Sequence, residues 1–166
     1  MLTKIKKTIV IEKWLDEDLN KYLEDYFLYQ APHYYGQTSK GEGEGTRFYK
    51  TPANMNDPLN RFLIYKLQKT LDLGSGEFEM YSNIQHPGMD GDYHKDSDFN
   101  ISCIYMVTKN STGFFQIQCA PNEYCKIPFV QNRLVAFDSQ LLHRGLAPID
   151  GVRITLAFKI KFHEKK

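Results

Sequence analysis

From Gly74 to its end, the chain is a succession of short runs: FEMYSNI, ISCIYMVT, GFFQIQ, YCKIPFV, RLVAFD and VRITLAFKIKF. Each is rich in aromatic and β-branched residues, and HPGMDGD, KNSTG, APNE and PIDG separate them. Such runs, divided by Gly, Pro, Asn and Asp, predict about six or more strands joined by turns. Short strands in that number bury their inner faces by rolling one sheet or facing two. The 11 Tyr, 11 Phe and 1 Trp among 166 residues supply the bulk that such a core needs.

Before Gly74 the pattern differs. KTIVIEKW, residues 7–14, predicts a strand. Asp16 is a candidate helix cap, followed by Leu19, Tyr22, Leu23, Tyr26 and Phe27 at helical spacing. Asp57-Pro58 opens a second helix with Leu59, Phe62, Leu63, Leu67 and Leu71 as its buried face. GQTSKGEGEGT, residues 36–46, predicts a loop. The expected fold is therefore α+β, with two N-terminal helices supporting a rolled antiparallel sheet. The length predicts one domain over 1–166: a strand and supporting helices to about 76, then the β core over about 77–162.

Charge excludes little but is informative. The formal net charge is +1, with small clusters at Lys4, Lys6, Lys7 and at Lys165, Lys166 that read as solvated. Nothing in that balance favours nucleic acid or a membrane surface. The N-terminal stretch lacks the apolar region of a signal peptide, and no run is long enough to span a bilayer. Cys103, Cys119 and Cys125 are odd in number and show no C-x-x-C spacing, so the expectation is reduced cysteines packed as small apolar residues in a cytoplasmic setting.

The chemistry concentrates in two places. In Tyr93-His94-Lys95-Asp96 an extended backbone points residues two apart to the same side, so His94 and Asp96 face one point. In RLVAFDSQLLHRGLAPIDGVRIT, His143 follows one strand and Arg153 starts the next, with Thr155 on the same side. Two imidazoles and one carboxylate on one face of an ion hold Fe(II) and leave three adjacent positions open, enough for a 2-oxo acid and dioxygen. The absence of thiolates argues against a structural zinc. The fork of donors on Arg153 suits a second, distant carboxylate.

The H-x-D … H … R-x-T series in an all-β setting resembles the Fe(II)- and 2-oxoglutarate-dependent oxygenases. GDYHKD, CIYMVT and RLVAFDSQLLHRGLAPIDGVRITLAFK resemble the prolyl-hydroxylase-like branch, especially small single-domain bacteriophage members, over roughly residues 78–162. The resemblance implies a distorted double-stranded β-helix of jelly-roll or cupin type. It implies His94, Asp96 and His143 as iron ligands, Arg153 and Thr155 as the 2-oxoglutarate clamp, and Tyr81 as an aromatic contact to that co-substrate. It implies oxygen as second co-substrate, ascorbate as a stimulant, and hydroxylation with release of succinate and carbon dioxide. The first substrate choice is a prolyl residue in a protein or peptide, in the host cytoplasm if the gene is a phage's.

Departures bear on the substrate. Arg153 stands where many collagen-type hydroxylases have Lys, Met106 where some have a co-substrate Tyr, and Thr112-Gly113 where a Gly pair is common. Lys159 stands where nucleic-acid demethylases carry a second Arg, which counts against that substrate. A free amino acid or other small molecule is a further alternative, and a non-catalytic cupin-like binding module is the alternative outside enzymes.

Other candidates carry less. His33, His86 and His163 have no partners at ligand spacing and read as structural or solvent-facing. Gly41, Gly43 and Gly45 lack the strand and helix of a phosphate cradle and mark a surface loop or a lid over the site. Tyr34, Tyr35, Arg47 and Tyr49 line a substrate groove on one reading and pack in the core on the other.

Overall fold

The computed structural model describes residues 4–39, 45–109 and 112–162. Among these residues ten strands and two helices follow one another as β1 (Ile9–Ile11), α1 (Glu17–Tyr29), β2 (Tyr34–Gln37), β3 (Phe48–Pro52), α2 (Pro58–Leu71), β4 (Glu77–Gln85), β5 (Ile101–Met106), β6 (Phe114–Ala120), β7 (Glu123–Pro128), β8 (Arg133–Asp138), β9 (His143–Leu146) and β10 (Arg153–Lys161).

Both helices start where a carboxylate caps them. Asp16 accepts from Leu19 N at 2.9 Å, and Asp57 accepts from Leu59 N at 2.8 Å ahead of Pro58. α2 ends at Asp72, whose φ of 49° is left-handed and tolerable for a short polar side chain. Leu23 and Phe27 of α1 are buried, as are Leu63, Leu67 and Leu71 of α2. Tyr22 and Phe62, expected inside, are 52% and 47% exposed, while Asn20 and Ile64 take buried positions instead. Tyr22 stacks on Tyr26 at the helix surface. Asn20 is inside because its Oδ1 accepts from the Tyr105 hydroxyl.

All strand pairs are antiparallel. Seven strands form one sheet in the order β1-β8-β5-β10-β4-β3-β2, and three form another in the order β7-β6-β9. Period-two alternation decides what each face does. Ile154, Leu156, Phe158 and Ile160 of β10 join Ile101, Cys103 and Tyr105 of β5 and Leu134 and Ala136 of β8 against the helices. Met106, Val135 and Phe137 point the other way and meet Phe115, Ile117 and Phe129 between the sheets. Arg153, Thr155, Ala157 and Lys159 share that second face, and there the sheet lines a cavity.

The strands with a strong aromatic or β-branched pattern are where the sequence predicts them. β2, β3 and β9 are additions. β2 ends inside the stretch expected to be loop, since Gly36 (φ 111°) and Gln37 belong to the strand that pairs with β3. The rest of the Gly-rich stretch includes Lys40 to Glu44, among them Gly41 and Gly43, and these lie outside the described residues, as do His163, Lys165 and Lys166.

The cysteine expectation needs correction. Cys119 and Cys125 are exposed and disulfide-bonded across the β6–β7 hairpin, with Cα atoms 5.8 Å apart; Cys103 alone is free and buried. Cys125 faces Ile117 in the register, and the irregularity between Gln118 and Ala120 brings Cys119 beside it, a pairing that neither the odd count nor a C-x-x-C search detects. The cysteines therefore give no argument for a reducing setting. Among the described residues no helix is long and apolar enough to cross a membrane.

Candidate metal centre and its cavity

His94 and His143 are tied by their own backbones. Each donates its N–H to the other's carbonyl, at 3.1 and 3.0 Å, in an isolated antiparallel bridge at the start of β9. Asp96 N donates to Ser139 O at 3.0 Å, which carries the extended segment two residues further. The bridge brings the three side chains to one wall, and their ligand atoms all lie within 4.8 Å of one another. Nε2 of His143 is 3.5 Å from Oδ2 of Asp96, and Nε2 of His94 is 3.9 Å from Oδ1. Nδ1 of His94 donates to Asp92 O at 3.0 Å and Nδ1 of His143 to Leu141 O at 2.8 Å. Only a protonated Nδ1 can donate to a carbonyl, so both Nε2 lone pairs face the shared point.

The electrostatics keep these groups in ligand form. Burial and the neighbouring His94 push the His143 pKa down to about 4, so its imidazole is neutral at neutral pH. Burial also opposes ionisation of Asp96, but nearby positive charge and hydrogen bonds outweigh it and hold its carboxyl below the ordinary range. With His143 neutral, that compensation falls to Lys159, whose Nζ is 2.8 Å from Oδ1, and to Ser102, whose hydroxyl donates to Oδ2 at 2.6 Å. Burial works against the charge on Lys159 too, and Tyr81 and Asp96 outweigh it, raising its pKa.

Arg153 lies elsewhere on the wall of the same cavity, only 2% exposed. Its Nη1 donates to Gln85 Oε1. Gln85 is oriented in turn because its amide nitrogen donates to Met89 O at 2.6 Å and Gly145 O at 3.2 Å. The guanidinium lies over the Phe129 ring at 5.2 Å and against Gly145, where any Cβ would collide with it. Burial lowers its pKa to about 10, with Asp90 opposing, so the group stays cationic at neutral pH. Its Nε is buried and has no hydrogen-bond partner among the described residues. A buried cation with an orphaned donor is costly unless an acceptor enters.

The cavity, of about 320 Å³, takes in the triad, Arg153, Thr155, Tyr81, Asn83, Lys50 and Lys159, with Phe48, Ile104 and Phe115 as apolar wall. Gln37, Thr38 and Ser39 from the start of the Gly-rich stretch line it as well. The far end of that stretch is anchored where Thr46 N donates to Asp92 Oδ2 at 3.0 Å. Thr155 is 2% exposed and paired with Asn83 and Met106 on its two sides. Burial pushes the Tyr81 phenol up to about 12, which leaves it a neutral hydroxyl.

Every residue singled out for the site thus reaches one cavity. Three other cations of the β core are engaged with partners of their own. Arg133 pairs with Glu12 at 2.6 Å, Arg144 donates to Gln116 at 2.7 Å and stacks on Tyr93, and Lys159 serves Asp96. Gln85, Ser102, Lys50 and Lys159 are additions that carry no local motif. The Lys159–Asp96 contact spans 63 positions, and only the pairing of β10 with β5 brings them together. Of the minor candidates, His33 is structural, bonded to Phe27 O and Thr51, and His86 is exposed against Tyr49. Tyr34 and Tyr35 are 59% and 58% exposed, which rules out the core for both.

No family model and no curated protein matches the sequence. Solved structures do match. A Pseudomonas putida prolyl-4-hydroxylase superposes with a TM-score of 0.74 at 16% identity, covering 93% of this chain and 92% of that one. A prolyl hydroxylase from Trichoplax adhaerens, in complex with a hypoxia-inducible-factor peptide fragment, gives 0.74 at 15% identity, over 93% and 83%. The viral collagen prolyl hydroxylase of Paramecium Bursaria Chlorella virus-1, with 2-oxoglutarate, gives 0.67 at 16% identity, over 93% and 96%. The chain has the double-stranded β-helix fold of the 2-oxoglutarate oxygenases. The helices and the seven-stranded sheet form one layer of that β-helix with its support, and the β7-β6-β9 sheet forms the opposing layer.

Proposed function

We propose that the protein is an Fe(II)- and 2-oxoglutarate-dependent dioxygenase that hydroxylates a substrate and releases succinate and carbon dioxide. The observation that carries the reading is one cavity walled both by His94, Asp96 and His143 with converging ligand atoms and by a buried Arg153 with an unpartnered donor. The donor set fits a ferrous ion: two neutral nitrogens and one carboxylate oxygen, with no sulfur. The buried guanidinium, with Nη1 on Gln85 and no partner for Nε among the described residues, fits the far carboxylate of a diacid.

When bound, the metal and 2-oxoglutarate supply the oxidising power, one oxygen atom of dioxygen going to succinate and the other into a substrate C–H bond. The chain's own residues do the rest. Asp92 O and Leu141 O hold both imidazoles in one tautomer, while Ser102 and Lys159 orient the carboxylate. Gln85 and Gly145 fix the Arg153 fork, which would hold the far carboxylate of the diacid in one position. Thr155 and Tyr81 add hydroxyls along its path, and Phe48, Ile104 and Phe115 keep water from the reacting carbon.

For the substrate we take a prolyl residue in a protein or peptide, by analogy with the prolyl hydroxylases of the same fold. A one-domain, cytoplasmic protein is part of the same reading, as are dioxygen as co-substrate and ascorbate as stimulant. The test is anaerobic reconstitution with Fe(II) and 2-oxoglutarate, then oxygen and a substrate panel. A gain of one oxygen by a panel member, matched by succinate, is the expected result; no succinate with or without substrate would favour a binding module.

A further inference from the structure

We infer that the cavity holds a second anion-binding position, formed by Lys50 and Lys159 around the Tyr81 ring, that receives a carboxylate belonging to the substrate. The inference rests on the oxygenase reading above and narrows its substrate to one that carries an acid group near the carbon to be hydroxylated.

Three neighbouring strands build the position. β4 runs between β10 and β3, and its Tyr81 pairs with Ala157 on one side and Pro52 on the other. Lys50 reaches in from β3, with Nζ 3.7 Å from the Tyr81 centroid, and Lys159 from β10, with Nζ 5.2 Å from it. Both ammoniums therefore approach one ring at the metal end of the cavity. Arg153 sits six residues back along β10, a backbone separation of roughly 20 Å at the usual rise per residue, and its guanidinium is held at Gln85 and Phe129 rather than at the Tyr81 ring, so the two anion positions have different partners.

Charge makes the position an acceptor of anions. Lys50 is half-buried, and burial and the nearby Lys159 both lower its pKa, with Glu79 and Asp96 opposing. Among the described residues no carboxylate forms an ion pair with Lys50, and Glu79 is exposed. Lys159 has Asp96, but a bound cation competes for that same carboxylate. Of the two carboxylates that act on Lys50, Asp96 would be shared with a bound metal and Glu79 is exposed to solvent. A half-buried ammonium whose neighbouring carboxylates are shared or solvated favours a further anion. Stacking on Tyr81 partly shields Lys50 but offers no counter-charge.

A substrate can present such a carboxylate as a free amino acid or as an acidic residue beside the target in a peptide. The experiment titrates the Zn(II)- and 2-oxoglutarate-loaded protein by calorimetry with two matched pairs. One is L-proline and L-prolinamide; the other is the doubly blocked tripeptides Gly-Pro-Glu and Gly-Pro-Gln. The acid of at least one pair should bind about tenfold or more tightly than its amide, and Lys50→Met should erase that preference. Lys50 is the site to change because Lys159 touches a metal ligand. Preference in the first pair assigns a free amino acid, and in the second an acidic peptide. The inference is overturned if no probe binds, if neither pair discriminates, or if the preference survives Lys50→Met. It is also overturned if Lys50→Met instead weakens 2-oxoglutarate binding, which would give the lysines to the co-substrate. Failure of the unaltered protein to bind Zn(II) or 2-oxoglutarate would remove the oxygenase reading itself, an outcome visible before any probe is added.

Discussion

Nζ of Lys159 lies 2.8 Å from the same Asp96 oxygen that is 3.9 Å from Nε2 of His94. The ammonium thus holds, in the metal-free protein, the carboxylate that a cation would share, and the pair is well sheltered, with side-chain exposures of 17% and 5%. Removing the lysine leaves a buried carboxylate held mainly by Ser102. Lys159→Met should cost the metal-free protein about 2–3 kcal/mol, somewhat less than a fully buried pair because Ser102 remains. Urea unfolding measures it. The same variant should bind Mn(II) at least as tightly as the unaltered protein, because a competing cation is gone; an unchanged unfolding midpoint would show that the pair contributes nothing.

Arg153→Ala removes the cation whose Nε has no protein partner. Its 2-oxoglutarate affinity should fall by about 2–5 kcal/mol, more than tenfold, while Mn(II) affinity changes little. Gly145→Ala should act in the same direction, because the new methyl occupies the guanidinium's place. Calorimetric titration of both variants with 2-oxoglutarate checks this, and undiminished affinity in Arg153→Ala would exclude the clamp.

His143 gives the metal-free protein an acid sensitivity of defined sign. Its folded pKa, about 4, lies below the ordinary value of 6.5. Between those values the unfolded chain takes up the proton and the folded one does not, so stability is full above pH 6.5 and falls as pH drops toward 4. The loss should be on the order of 2 kcal/mol by pH 5. Thermal unfolding at pH 7.5 and pH 5 should show a smaller difference for His143→Gln than for the unaltered protein; equal differences would contradict the burial argument.

The Cys119–Cys125 bond closes a short loop, so its entropic contribution is modest, roughly 2 kcal/mol in the chain-entropy estimate. Thiol titration of the denatured protein should find one free thiol without reductant and three with it, corresponding to Cys103 alone and then all cysteines. Three without reductant would mean that the hairpin is unbridged in solution.

Much of this site could be read in the sequence because its logic is local. His94 and Asp96 are two apart on extended chain, and Arg153 and Thr155 are two apart on a strand, so period-two geometry alone places each pair on one side. His143 needed the ordered series, since its position depends on the backbone bridge to His94. What escaped depends on pairings between distant strands. Lys159 meets Asp96 through the β10–β5 register, and Lys50 meets Tyr81 through the β3–β4 register. Strands β2 and β3 lack a β-branched run and flank a Gly-rich stretch, while the four residues of β9, HRGL, have no alternation to detect. The disulfide was hidden because hairpin closure, which no spacing rule encodes, brings its two cysteines together.

The most direct measurement is Mn(II) binding to the unaltered protein and to His94→Ala, Asp96→Ala and His143→Ala, each followed by titration with 2-oxoglutarate. The unaltered protein should bind one ion per chain and then the oxoacid. Each alanine variant should lose stoichiometric Mn(II) binding while keeping the far-ultraviolet circular dichroism of the fold. Stoichiometric Mn(II) binding retained by a folded His143→Ala protein would contradict the assignment of the metal to this triad.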